Sequence, residues 1–178
     1  VKKSYDENAE NYEEVRYEGF GIEGVGIIVE SLTDNRNRTA GDIRSIFSKH
    51  GGNLGETGSV SFMFSHLGII KFSKEAGDFE DVFEIATDAG ALDCDSTEDG
   101  YEISCSTDEL HQVTEMIEGN VKIPITAQLS WRPSNLIPLD KEKALKVLGM
   151  IDVLDDHDDV QEVFANFDLP EEIFNEMS

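Results

Sequence analysis

The sequence predicts an α+β protein of two mixed α/β-sandwich domains, the second a ferredoxin-like βαββαβ domain inserted into the first. Three observations lead there. Apolar residues recur every second position in some segments and at 3.6-residue spacing in others, within one chain of 178 residues. From Leu67 to Trp131 the segments run strand, helix, strand, strand, helix, strand, the split βαβ order. Pro133 then interrupts the pattern, and the elements beyond it complete a layer begun by the first strands. Residues 1–66 with 132–178 therefore read as one discontinuous α+β domain and 67–131 as the inserted one.

Residues 1–14 are polar and acidic, with Tyr5 and Tyr12 as isolated apolar positions, and read as a tail or linker. Glu14–Gly19 and Val25–Leu32 read as strands, the second with a continuous core in Val25, Ile27, Ile28 and Val29. A polar loop through Asn37 leads to a helix from Thr39 to His50, whose Ile43, Ile46 and Phe47 form one buried stripe. Gly51 and Gly52 stop it. Val60, Phe62 and Phe64 alternate with small residues, which predicts a strand over Ser59–Phe64.

The inserted domain is assigned strand Gly68–Phe72, helix Asp78–Ala89, strand Ala91–Asp95, turn Ser96–Gly100, strand Tyr101–Cys105, helix Thr107–Glu118 and strand Ile123–Trp131. In its second helix Leu110, Val113, Met116 and Ile117 form the stripe and Thr107 is the expected cap. Arg132–Asn135 is a return connection and Leu136–Leu139 a short strand. Asp140 caps a helix with the stripe Ala144, Leu145, Leu148 and Ile151, and Val160–Ala165 is the last strand.

The formal net charge is −24, from 14 Lys+Arg against 38 Asp+Glu. Such a field repels phosphates and anionic lipids at long range, so the chain is not expected to grip bare nucleic acid tightly on its own. Cys94 and Cys105 are too few for a disulfide framework and do not stand at metal-ligand spacing with any histidine, so two reduced thiols in a cytoplasmic protein are expected. No apolar run reaches the length of a membrane span. The first residues do not resemble a signal peptide and lack an initiating Met, which suggests that part of the N-terminus is absent.

Gly19, Gly21 and Gly24 match the letters G-x-G-x-x-G, but strand formers follow where a dinucleotide site needs a helix. A glycine turn between strands is the better reading. The run Gly51–Gly58 is rich enough in glycine to cradle an anion with backbone amides, yet lacks the lysine ending of a P-loop. Helix C-cap plus turn is its stronger reading. Asp155, Asp156, His157, Asp158 and Asp159 could hold a hard cation loosely, but without the spaced ligands of an EF-hand loop they read as an acidic turn. His50, His66 and His111 have no acid or nucleophile partner at a recognisable spacing. No catalytic signature occurs, and no catalytic residue, metal ligand, cofactor or small-molecule substrate is expected.

Cations concentrate in one place. From Asn35 to Lys74 the chain carries Arg36, Arg38, Arg44, Lys49, Lys71 and Lys74 against Asp42 and Glu56. Arg36 and Arg38 sit two apart in the polar loop, while Arg44 and Lys49 flank the helix beside His50. These residues read either as a solvated face in local ion pairs or as a contact for phosphates.

The runs YEGFGIEGVGIIVESLTDNRNRT (17–39), FSKHGGNLGETGSVSFMF (47–64) and DDVQEVFANFDLP (158–170) strongly resemble the YebC/PmpR family, which includes the mitochondrial translational activator of cytochrome c oxidase. The resemblance covers nearly the whole chain. It implies a basic N-terminal helical domain followed by two α+β domains, one inserted in the other, of which only the latter two are present here. It further implies a non-enzymatic regulator of gene expression: a DNA-binding transcriptional regulator or, alternatively, a ribosome-associated translation factor that relieves stalling at proline-rich stretches. DNA or ribosomal RNA would be the partner, met mostly through the absent basic domain, in the cytoplasm or in mitochondria for a eukaryotic homologue. Carried over by motif, the candidate contacts are Asn35, Arg36, Asn37, Arg38, Lys49, His50 and Asn53, to which the charge pattern adds Arg44. The proline and glycine usual in the early turn are Ile22 and Glu23 here, placing an acid beside it.

Overall fold

A computed structural model describes residues 11–177 of the chain. In chain order its strands are β1 (Glu13–Phe20), β2 (Gly26–Thr33), β3 (Asn53–Leu54), β4 (Phe64–Phe72), β5 (Asp93–Ser96), β6 (Tyr101–Cys105), β7 (Thr126–Pro133), β8 (Ile137–Pro138), β9 (Val160–Ala165) and β10 (Phe167–Asp168). The helices are α1 (Arg36–Lys49), α2 (Phe79–Ala89), α3 (Leu110–Val121), α4 (Lys141–Asp156) and α5 (Glu171–Met177). The mixed α+β class is as the sequence predicts. The chain divides into two compact units, one from residues up to Ser65 and from Pro133 onward, the other His66–Arg132. The predicted tail falls mostly outside the described residues, and its end, Glu13 and Glu14, belongs to β1.

In the first unit a four-stranded sheet has the order β3-β1-β2-β9, and β8 and β10 form a short parallel ladder. The β1–β2 hairpin is antiparallel, pairing Glu13 with Thr33 and Phe20 with Gly26. Its turn is a 3-10 turn over Ile22–Gly24 in which Glu23 and Gly24 have φ of 59° and 75°. The GFGIEG run is therefore a strand-to-strand turn. Helices α1 and α4 close over this sheet through Ile43, Phe47, Ala144, Val147, Met150 and Leu154, all buried against Val25, Ile27 and Val29. The α4 stripe thus differs from the expected one: Leu145 is 49% exposed, and Val147, Met150 and Leu154 take the core positions.

The second unit has the strand order β5-β6-β4-β7, with β4–β6 and β5–β6 antiparallel. Its core gathers Ile70, Phe72, Ile103 and Cys105 from the sheet with Val82, Ala86, Val113 and Ile117 from α2 and α3. Asp78 caps α2 by accepting the Asp81 amide at 3.0 Å, while Gly90 closes it at φ 91°. Thr107 does not cap a helix. It opens a 3-10 turn over Thr107–Glu109; Ser106 makes no side-chain cap bond to that turn, and Glu109 makes none to α3. Met116 is 41% exposed, and Val121 completes the buried stripe instead. Cys94 and Cys105 are free and buried; burial first, then nearby carboxylates, pushes both thiols up. No described helix is long and apolar enough to cross a membrane.

Two further boundaries differ from expectation. Helix α1 starts at Arg36, a turn earlier than Thr39, because Asn35 accepts the Arg38 amide at 3.1 Å and serves as N-cap. A first helical turn needs no apolar residue, so NRNR reads as loop and folds as helix. The expected strand over Ser59–Phe64 is a 3-10 turn at Ser61–Met63, with β4 beginning only at Phe64. Phe62 consequently stands 76% exposed.

Candidate nucleic-acid interface

Helix α1 brings most of the candidate residues onto one element, but it does not leave them equally free. Cations near a helix N-terminus oppose the macrodipole and gain from nearby carboxylates. Arg36 reaches Glu13 at 3.4 Å, and Arg38 reaches Asp34 at 3.0 Å and Asp159 at 3.4 Å. Both arginines belong to local ion pairs on the helix, not to a polar loop. Asn35 is the cap, and the hydroxyl of Tyr17 donates to the Arg36 carbonyl at 3.3 Å.

Asp159 anchors this end of the helix through a directional chain of hydrogen bonds. A carboxylate only accepts, so the Thr39 hydroxyl donates to it at 2.7 Å. Thr39 Oγ1 then receives the Thr33 hydroxyl proton at 2.7 Å, and Thr33 Oγ1 receives the Asn35 amide at 3.0 Å. Both threonines are fully buried. The bonds from Thr39 and Arg38 hold the Asp159 carboxyl below its ordinary range despite partial burial. Its stabilisation is therefore present above the ordinary aspartate range and is lost as pH falls below it. Thr39→Val keeps the shape and breaks the chain, and we expect a loss of about 2 kcal/mol, read as a lower urea midpoint at unchanged slope.

The acidic turn is tied down similarly. The Asp159 amide donates to His157 Nδ1 at 3.1 Å, so Nε2 carries the ring proton and donates to Asp42 at 2.9 Å. Among the described residues no group of three or more His, Cys, Asp or Glu side chains is placed to hold a metal ion. His111 does meet an acid, Glu115, at 3.0 Å one helical turn on, as an exposed pair.

Arg44 and Lys49 are different. Both are exposed and neither makes an ion pair among the described residues. Lys49, in the last turn, complements the helix dipole unaided. Around them the outward face of α1 carries Asn37, Gly41, Ser45 and Ser48, all exposed and short. His50 is half-buried, its Nδ1–H on the Ile46 carbonyl at 2.8 Å, and Asn53 is exposed in β3.

The glycine-rich loop after β3 does cradle an anion, but the anion is the chain's own. Glu18, fully buried in β1, accepts the Val60 and Ser61 amides on Oε1 at 3.0 and 2.7 Å. Its Oε2 accepts the Gly58 amide at 2.9 Å and Arg16 Nε at 3.0 Å. These bonds draw Ser59–Met63 out of strand geometry. No spacing rule marks Glu18: its amide partners lie some forty residues further on, and the alternation of β1 groups it with the charged Glu14 and Arg16, opposite Val15 and Tyr17.

A family model described as the second and third domain of TACO1/YebC matches residues 12–167. The crystal structure of a conserved hypothetical protein, Aq1575, from Aquifex aeolicus is 41% identical and superposes with a TM-score of 0.80, covering 92% of this chain and 68% of that one.

Proposed function

Because the chain belongs to the TACO1/YebC family, we propose that it is a non-catalytic regulator of gene expression, acting on transcription with the outer face of α1 contacting the DNA backbone. The observation that carries this reading is the pair Arg44 and Lys49, exposed and without ion-pair partners among the described residues, on a face otherwise made of short residues. Short neighbours let a backbone approach closely, and unpaired cations can neutralise phosphates without first giving up a carboxylate. Arg36 and Arg38 position the helix. Two cations do not outweigh a net charge of −24, so this face serves as an auxiliary contact.

The same acidity favours a second reading, a translation factor at the ribosome, where rRNA phosphates lie beside basic proteins that an acidic surface complements. One variant tests both. In R44E/K49E we expect the salt slope of binding to upstream DNA to fall by about two, one for each lost phosphate contact, with weaker affinity throughout. If ribosomes are the target, sucrose-gradient co-sedimentation fails in the same variant while the DNA shift is absent in both proteins. Unchanged binding and slope in either assay would remove α1 from the interface.

A further inference from the structure

Helix α2 carries a surface of a different kind. Between Glu75 and Val121 the sequence has fifteen Asp and Glu and no Lys or Arg. That stretch contains both α-helices of the second unit, which carry Glu80, Asp81, Glu84, Asp88, Glu115 and Glu118 and no Lys or Arg. Within it Phe79 and Phe83 are 41% and 48% exposed, their ring centroids 5.7 Å apart. Phe79 leans on the buried ring of Tyr101, centroids 6.4 Å apart, and the Tyr101 hydroxyl donates to the Gly77 carbonyl at 2.7 Å. The aromatic island thus has a fixed floor. Helical spacing lays Phe79, Phe83 and Thr87 in one row and Glu80, Glu84 and Asp88 in the next, all of them exposed. The core contacts of α2 come from Val82, Ala86 and Ala89, so folding alone does not account for two exposed phenylalanines.

We propose that this face of α2 docks a lysine- and arginine-rich protein segment bearing an apolar anchor. The anchor covers the Phe79–Phe83 pair, while its flanking cations meet the row of carboxylates and can also lie over the aromatic faces. Charge selects this occupant. Nucleic acid and anionic lipid are repelled by the same field, and a second copy of a chain of net charge −24 repels itself.

The test uses the full chain and two labelled synthetic peptides of equal positive charge, one with a central Leu–Trp pair and one with Gly–Ser in its place, followed by fluorescence anisotropy. The anchored peptide is expected to bind about tenfold more tightly, because an apolar anchor in a fitted site is worth at least that factor. F79S/F83S erases the preference, and E80K/E84K weakens both peptides. A single-stranded oligonucleotide does not compete. Equal affinity for the two peptides, or a preference that survives in a folded F79S/F83S protein, overturns the proposal. If F79S/F83S does not fold, E80K/E84K decides alone, since both glutamates are exposed: undiminished peptide binding in that variant overturns it.

Discussion

Glu18→Gln lowers the stability of the protein by about 3 kcal/mol, although it changes one atom of one side chain. The carboxylate is fully buried. Burial alone would raise its pKa, but the amides of Gly58, Val60 and Ser61, with Arg16, outweigh that and hold it at about 2, against an ordinary 4.5. A difference of that size corresponds to about 3 kcal/mol of preference for the folded state when the group is ionised. Glutamine cannot replace it, because one of its terminal atoms must be a donor. With its oxygen on Val60 and Ser61, its NH₂ faces the Gly58 amide and Arg16, both donors; turned over, it faces the other two amides. Either way buried donors are left without acceptors. Hydrogen exchange is expected to show the amides of Gly58, Val60 and Ser61 losing protection first. The pH dependence has a definite sign: a depressed carboxylate pKa stabilises fully above about 4.5, and the contribution is lost as pH falls from there towards about 2. If the variant and the parent protein lose stability in parallel through that window, the cradle does not hold the loop.

Much of the fold was legible because its local rules agree. Asp140 was read as a cap and accepts the amide three residues on, and Asp78, read as the start of its helix, caps it in the same way. Strands β6 and β9 were placed at their observed ends because turn residues bound them. The failures share one cause. For Arg36 and Arg38 the choice between local ion pairs and a phosphate contact stayed open, because the carboxylates that hold them include Glu13, on β1, and Asp159, far along the chain. Phe62 looked like a strand residue because its period-two neighbours suited one, while the Glu18 carboxylate that bends the segment lies in β1. Periodicity reports which face a residue shows, and composition reports where charge accumulates. Neither reports which distant polar group has claimed a local donor. The candidate site was therefore located on the α1 segment from sequence, while the division between paired and unpaired cations within it required the folded neighbours.

Gly52→Ala is expected to cost about 3 kcal/mol or more, and Gly51→Ala, one position earlier, about 1 kcal/mol. Both glycines close α1 in a Schellman arrangement, with the Gly51 amide on the Ser48 carbonyl at 3.3 Å and the Gly52 amide on the Phe47 carbonyl at 2.8 Å. Gly51 has φ of 79°, so a side chain there meets left-handed strain and a 3.1 Å approach to Ile22 Cγ2, a movable methyl. At Gly52 an added Cβ would lie 2.2 Å from the Phe20 carbonyl oxygen and 3.2 Å from Gly21 Cα. Those are backbone atoms, and Phe20 is held on both sides, paired with Gly26 in β2 and with Asn53 in β3. The carbonyl cannot rotate away without breaking the sheet, so the end of α1 must lift instead. Lifting it withdraws Phe47, fully buried in the core, and displaces Lys49 on the outer face. The stability loss and a weakened nucleic-acid contact are thus expected together in Gly52→Ala, measured by denaturant midpoint and by the salt slope of binding. Equal midpoints for the two alanine variants would mean that left-handed strain, and not the close approach of β1, sets the glycine requirement at this corner.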